Sequence, residues 1–513
     1  MDAIDLSIFS SRVAAVCEEM GAVLRRTAFS PNIRDRLDFS CALFDADGEL
    51  LAQAAHIPVH LGSMAYAMRE IVHALPWREG DVVIVNDPYL GGTHLPDVTV
   101  IAPAFVAGRL IGFAANRAHH ADIGAVTPGS MPLSRRLEEE GVVIAPTHLY
   151  RGGVLDQSFF DALVGRMRDT RQAAGDFAAQ ASAVRTGVRR FAELATALGV
   201  PKLLEAMREL NDYAERLMRA SLDELPHGIY RFVDVLDDDG QGRYDVPIVV
   251  TLRVGPEGVE VDFDGTAEQV SGNINCPLSV AAAAVFYVFR CLAPEQLPVC
   301  AGAFRPIRLR ARLGSLVNAQ RPAAVAAGNV ETSTRIVDTV LGALAAAVPD
   351  RVAAASHGSM NNLAMGGEAD GRAWDYYETL AGGMGAGRDG GGVDCVHTHM
   401  TNTLNTPLEA LEMHYPLRVR RYARRTGSGG SGMRRGGDGI VREYEFLVPA
   451  TVTLLTERRR HAPWGLAGGE PGLRGRNLLN GRELPGKATV EVRPGDRLTV
   501  ETPGGGGYGS TTN

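Results

Sequence analysis

Three imidazoles and three carboxylates fall between Asp87 and Asp122, within 36 residues. They sit in two segments, Asn86-Asp87-Pro88-Tyr89-Leu90-Gly91-Gly92-Thr93-His94-Leu95-Pro96-Asp97 and Arg117-Ala118-His119-His120-Ala121-Asp122. Neutral imidazole and carboxylate oxygen together suit Mn²⁺, Zn²⁺ or Fe²⁺, and the open positions of such a site are where an ion polarises a carbonyl or makes hydroxide near neutral pH. The pattern points to a metal-dependent enzyme. The competing reading is structural, since His and Asp beside strand ends also cap turns and bond backbone.

For residues about 25 apart to share a site, the chain has to fold back on itself. The runs Val98 to Phe105 and Leu110 to Asn116 are β-like and flank Ala107-Gly108, which reads as a hairpin turn. Register decides what faces His119: one alignment sets His94 beside it, a slipped one pairs Asp97 with it, and the sequence leaves both open.

The remaining elements frame that hairpin. Leu6, Phe9, Val13, Val16, Met20 and Val23 recur at helical spacing. A loop and strand over Ser30 to Asp45, a turn at Asp47-Gly48, a helix over Ser63 to Leu75 and a strand over Val82 to Val85 complete a mixed unit. Phe159 to Leu225 is helical with a break near Gly199-Val200-Pro201, and Arg231 to Phe263 reads as strands turning at 237–242 and 255–258. Ala281 to Cys291 and Ser333 to Ala347 predict buried helices, and strands are expected around Tyr444 to Thr456 and Ala488 to Thr502. The fold class is therefore α+β and multidomain: a metal-binding α/β unit with a helical extension (1–225), a central α/β domain (226–350) and a Gly-rich, β-rich C-terminal domain (351–513). The tract Pro503 to Gly509 reads by composition as a frayed tail, whereas Met433-Arg434-Arg435 argues for an ordered loop within Thr426 to Gly439.

Composition narrows the function. A net charge of -8 leaves no basic stripe for nucleic acid, and the one basic cluster, Leu417 to Arg425, reads as a solvated or subunit-facing strand edge. The N-terminus lacks a signal peptide's basic and apolar regions, and the longest apolar run, Val280 to Phe289, is about half a bilayer span. Six scattered cysteines without a Cys-x-x-Cys suggest neither disulfides nor a zinc ribbon, so a reduced, cytoplasmic setting is expected. Neither Gly-rich tract contains the Gly-Lys-Ser/Thr of a phosphate-binding loop.

Several motifs in order extend the reading: 86–97 above, Glu140-Gly141, Asp176-x-x-x-Gln180, Asp264-Gly265-Thr266, Gly328-Asn-Val-Glu-Thr-Ser333, Met400-Thr-Asn-Thr-x-Asn-Thr-Pro-x-Glu409 and Gly429-Gly-x-Gly-Met-Arg-Arg-Gly-Gly-Asp438. Together they resemble the hydantoinase B/oxoprolinase family, which includes the metal subunits of acetone and acetophenone carboxylases. The resemblance implies a hetero-oligomer, such as a heterotetramer, in which a hydantoinase A-type subunit of the actin-like ATPase superfold binds ATP and this chain carries a divalent metal (Mn, Zn or Fe). It implies Asp35, His94, Asp97 and His119 as ligands, with Asp38 the alternative acid because Asp35 stands where many relatives have Glu. Asp87, His120, Asp122 and His148 are expected around them, with Asp35 completing the shell or serving as base and Asp122 or His148 steering protons. His397-Thr398-His399, with Asn402, Asn405 and Glu409, reads as a second metal or substrate site or as backbone-satisfying turns. Asn329, Glu331, Ser333 and Arg335 face substrate or cap a helix.

The implied reaction is ATP-dependent opening of a cyclic amide such as a hydantoin, 5-oxoproline or lactam. The partner phosphorylates the amide oxygen and the metal here supplies hydroxide, giving a ring-opened amino acid or N-carbamoyl amino acid. The alternatives are ATP-dependent ketone carboxylation and a non-catalytic scaffold for the ATPase.

Overall fold

The computed structural model describes residues 2–54 and 57–511. Helix α1 (Ala3–Thr27) starts where the Asp2 carboxylate accepts the Asp5 amide at 2.7 Å, and buries the stripe Phe9, Val13, Met20 and Leu24. A single turn, α2 (Pro31–Arg34), leads into β1 (Phe39–Asp45) and β2 (Leu50–Ala54). Helix α3 (Pro58–Ala74) precedes β3 (Val82–Val85), β4 (Asp97–Val106), β5 (Arg109–His119), β6 (Thr147–Arg151) and β7 (Val154–Leu155). These strands form one antiparallel sheet in the order β2-β1-β5-β4-β3-β6-β7. Both faces are covered, which is why β4 and β5 read as continuous apolar runs and not as alternating ones.

The predicted hairpin forms, with Ala107 at φ 50° and Gly108 at φ 76°. Its register is set farther down: β5 carries one extra residue between Leu110 and Gly112, so Phe105 pairs with Leu110 but Ala104 pairs with Gly112. Gly112 permits this, because a Cβ there would lie 2.2 Å from the Phe44 carbonyl oxygen. The bulge brings Asp97 opposite His119, the slipped alternative of the two registers.

Helices α4 (Gln157–Val164), α5 (Thr170–Leu198) and α6 (Val200–Leu222) follow, the last two separated at Gly199 as expected. A four-stranded sheet comes next, β8 (Gly228–Asp238), β9 (Tyr244–Gly255), β10 (Gly258–Asp262) and β11 (Ile307–Arg310). Helix α7 (Leu278–Leu292) is apolar nearly all round because it lies between α3 and α8 (Ser333–Ala345). The approach to α3 is so close that a Cβ at Gly62 would lie 2.5 Å from the Ala283 Cα. One apolar cluster runs from Phe9 through Leu344 and on to Met360, Tyr377, Met400 and Leu455, so the change of element type near 226 is not a break in the core.

The C-terminal region has its own apolar cluster, from Leu363 to Val500. It holds β12 (Asn362–Ala369), β13 (Arg372–Glu378), α9 (Leu408–His414), β14 (Leu417–Arg425), β15 (Gly439–Phe446), β16 (Ala450–Leu455), β17 (Arg476–Leu479), β18 (Arg482–Leu484), β19 (Lys487–Val492) and β20 (Arg497–Glu501). The Arg-rich strand β14 is the edge of its sheet, and Arg424 and Arg425 pair with Asp394 and Glu501. All six cysteines are free thiols, and among the described residues no helix is long and apolar enough to cross a membrane.

The glycine tract 503–509 is not a frayed tail. It is buried throughout and threads between other glycine-rich segments: Gly505 donates to Gly437 O at 2.9 Å, and Gly430 donates to Gly505 O at 2.9 Å. Backbones pack so closely there that a Cβ on Gly505 would lie 2.0 Å from Met384 O. Gly505→Ala is therefore expected to cost about 3 kcal/mol or more. Gly387→Ala, whose new methyl would have its nearest neighbour 4.0 Å away, should stay within about 0.5 kcal/mol. Thermal melts of the two variants against the parent chain check the contrast, and equal melting temperatures would refute the backbone-packing account.

Candidate metal centre

The loop after β3 is shaped by Asn86, whose side-chain amide donates to Leu95 O at 2.8 Å and whose carbonyl accepts from Ile144 N at 2.7 Å. Asp87 accepts the Tyr89 amide and pairs with Arg321, turning the chain. Gly92 then passes so near that a Cβ would lie 2.3 Å from Asn86 O. The loop so folded returns His94 to the start of β4. There His94, Asp97 and His119, all buried, bring one ligand atom each to within 4.8 Å of one another, the only such group among the described residues.

The two oxygens of Asp97 have different surroundings. Oδ2 accepts from Thr93 Oγ1 at 2.6 Å and Asn329 Nδ2 at 3.2 Å, and lies 3.2 Å from His60 Nε2. Oδ1 lies 3.0 Å from His119 Nδ1 and 3.1 Å from His94 Nε2. Burial by itself would raise the Asp97 pKa, but the charges of His94 and His60 and the hydrogen bond from His119 outweigh it and hold the carboxyl well below its ordinary value. Burial would likewise depress His94, yet Asp97 raises it, while burial prevails at His119 and lowers it.

These contacts test whether a cation fits. His94 Nδ1 lies 3.1 Å from Ala326 O, so its proton points at that carbonyl and the lone pair of Nε2 faces Asp97 Oδ1. Two electron-rich atoms at that distance require a positive centre between them, either a proton or a metal ion. Nε2 of His94 and of His119 are both buried without a hydrogen-bond partner. Two imidazoles and one carboxylate that bring their ligand atoms to within 4.8 Å of one another, with both Nε2 atoms unpartnered, make a donor set that fits a divalent transition metal. The cavity they line, with Asp38, Tyr377, Thr401 and Thr403 among its walls, encloses about 20 Å³. That is room for an ion or one water, the latter needing about 10–15 Å³.

A second layer holds the first. Buried Glu140 accepts the Val325 and Ala326 amides at 2.9 Å each, fixing the carbonyl that orients His94, and burial pushes its pKa up to about 7. Asn329 reaches Asp97 from a π-helical turn (Gly328–Thr332) just before α8. His119 stacks on Tyr377 at 4.4 Å between ring centres.

The other expected residues divide. Asp38 lines the cavity, and its carbonyl accepts the His119 amide at 3.0 Å. Asp35 does not join it: the turn of α2 points its carboxylate outward into a fork with Arg34 at 3.0 and 3.1 Å, in a surface cleft. Of the two acids, the geometry sets Asp38 and not Asp35 beside the cavity. His120 faces Gln180 Oε1 at 2.9 Å and stacks on Phe177, while Asp176 accepts the Phe29 and Ser30 amides at 2.7 and 3.1 Å, so the Asp176-x-x-x-Gln180 motif anchors the segment before α2 and the His120 ring. Asp122 accepts the Gly124 and Arg168 amides, and His148 lies 3.6 Å from Asp81. Neither lines the cavity, so the proton-steering role expected of them lacks a geometric basis. His60 is the residue that spacing does not reveal. It stands in the apolar run Ile57-Pro-Val-His60, and its only signal is an imidazole at a core position of a helix start.

Comparison with known proteins places this geometry. The family model described as hydantoinase B/oxoprolinase matches residues 2–511. The chain is 40% identical to 5-oxoprolinase 1 of Arabidopsis thaliana over 99% of its own length but spans only 42% of that protein. It is 33% identical to the putative B component of a D-/L-hydantoinase from a Pseudomonas species, covering 99% of this chain and 90% of that one. The crystal structure of the ATP-dependent caprolactamase from Pseudomonas jessenii superposes with a TM-score of 0.93 at 29% identity, over 99% of this chain and 91% of that chain. The family match and the superposition both run essentially the whole length of the chain, and the chain belongs to the hydantoinase B/oxoprolinase family.

Proposed function

We propose that this chain is the metal-bearing subunit of an ATP-dependent cyclic amide hydrolase and acts with a hydantoinase A-type ATPase subunit in a hetero-oligomer. The observation that carries the reading is a pair of unpartnered imidazole nitrogens, Nε2 of His94 and of His119, gathered with the Asp97 carboxylate at a cavity of ion size. Relatives named for 5-oxoproline, hydantoin and caprolactam all point to a ring amide, which favours hydrolysis over ketone carboxylation.

His94, Asp97 and His119 would hold the ion, and Asp38 completes the wall beside them. A divalent cation bound there supplies Lewis acidity, polarising a carbonyl oxygen and lowering the pKa of water. The protein's own contribution is orientation. Thr93, Asn329 and His60 occupy Oδ2 of Asp97, which leaves Oδ1 as its ligating oxygen. Ala326 fixes the His94 tautomer, and Tyr377 fixes the plane of His119. Unstrained ring amides are poor electrophiles, so activation has to come from elsewhere. With no Gly-Lys-Ser/Thr loop in this chain, ATP-dependent activation is assigned to the partner.

Purified chain is expected to hold about one Mn, Zn or Fe per molecule by plasma mass spectrometry, and His94→Ala to lose it. His60→Ala should weaken metal affinity by roughly 10- to 100-fold while leaving one site per chain. Asp122→Asn and His148→Gln should retain parental affinity. Full metal retention in His94→Ala would remove that imidazole from the site.

The division of labour has a separate test. In the assembled complex, Asp97→Asn and His119→Ala should cut ring-opened product far more than ATP consumption, and solvent ¹⁸O should appear in the new carboxylate of the parent enzyme's product. Equal losses of both activities would mean that the metal centre also gates ATP hydrolysis. Calorimetry on the lone chain should show no micromolar ATP binding.

A further inference from the structure

We infer that His357, His397 and His399 form a hydrogen-bonding subsite for the planar amide ring of the substrate, beside the metal centre. The assignment rests on the ring-amide reading of the function. Backbone pairing assembles the three. His357 N donates to Gly383 O at 2.9 Å, and the neighbouring Gly382 exchanges hydrogen bonds with Val396 at 3.2 and 2.9 Å, which places His397 at the next position. The His357 ring lies so tightly on Gly382 that a Cβ there would sit 2.4 Å from its Cγ. His399, held at φ 58°, turns its Nδ1 to within 3.4 Å of Tyr287 Oη and its Nε2 to within 3.8 Å of Asp338 Oδ1.

Both ring nitrogens of His357 and of His397, Nε2 of His399 and Oδ1 of Asp338 are buried without a hydrogen-bond partner. A buried polar group left unsatisfied forfeits its hydration with nothing in return, and a concentration of such groups marks a site where something else satisfies them. The metal centre does not explain them, since none of these residues lines its cavity.

Charge and spacing identify the chemistry. Burial pushes His357 and His397 down to about 3, with His397 and His399 adding to the effect on His357 and Arg36 to that on His397, so these rings are neutral and each offers one donor and one acceptor. Their ligand atoms are too spread for one ion: among the described residues only His94, Asp97 and His119 gather that closely. A flat ligand with adjacent N–H and C=O groups, extended over several ångströms, meets both conditions. Position agrees, because Met360, three residues after His357, and Thr401, two after His399, are walls of the metal cavity. That cavity, about 20 Å³, holds no ring itself, so a substrate carbonyl has to be presented from alongside.

The test uses the complex of this chain with its ATPase partner and hydantoin, 2-pyrrolidinone and caprolactam as probes. His357→Phe and His397→Phe keep ring volume without nitrogens, and His399→Asn suits the left-handed backbone. In at least two of the three variants the KM of the best probe should rise tenfold or more, with metal content unchanged and kcat reduced less than threefold. Parental KM in all three folded, metal-replete variants would overturn the subsite and leave the hydrolase reading standing. Failure of the parent complex to open any probe, while it carboxylates ketones with bicarbonate, would overturn both. If only His399→Asn affected KM, the three-histidine assignment would also fail.

Discussion

The carboxylate of Asp97 is taken wholly out of water, a transfer that a lone charge survives only when nearly every lone pair is met. Here the meeting groups come from four parts of the chain: Thr93 and His94 from the loop, His119 from β5, His60 from α3 and Asn329 from the π-helical turn before α8. Removing one partner of such a buried arrangement typically costs about 3–5 kcal/mol. The relative placement of sheet, helices and loop is thereby tied to the same atoms that would hold an ion, so the innermost layer of the site is also a structural joint.

Around that joint the fold relies on backbone proximity as much as on side-chain packing. Gly92 lets the ligand loop double back, Gly112 admits the bulge, Gly62 lets α3 touch α7, and Gly328, where a Cβ would lie 1.8 Å from Asn275 O, lets the π-helical turn reach Asp97. The glycines of 428–437 and 503–507 do the same within the C-terminal region, where amide and carbonyl pairing knits these tracts together beside the apolar cluster. A chain with 59 glycines loses more backbone entropy on folding than most, and close hydrogen-bonded backbone contact is what offsets it.

The C-terminal region is also part of the site. Tyr377 supports His119 from β13, and Thr401 and Thr403 close the cavity from the segment before α9. Arg36, fully buried, joins the regions by donating to Tyr377 O at 2.9 Å and to Thr379 Oγ1 at 3.0 Å. The apolar walls of the ion-sized chamber, Ile57, Val59, Val330, Met360 and Tyr377, all belong to the larger of the two apolar clusters, so residues of the C-terminal region and of the N-terminal sheet enclose it together.

The sequence by itself determined most element types up to about residue 347, the hairpin at Ala107-Gly108, the break at Gly199 and the family, because periodicity, turn residues and long ordered motifs are local properties of the chain; β12, β13 and α9 lay in a stretch that reads as irregular. It also singled out His94, Asp97 and His119, whose residue types carry the chemistry. Tertiary structure decided the rest. The register of β4 on β5 turned on a one-residue bulge with no local signature beyond Gly112, and the placement of Asp38, and not Asp35, at the cavity wall turned on the direction of a single helical turn. His60, Tyr377 and the approach of His357 to the His397-Thr398-His399 motif became visible only when segments far apart in the chain were brought together. An imidazole in an apolar run looks the same in sequence whether it is core filling or the support of a buried charge, and only its neighbours in space distinguish the two.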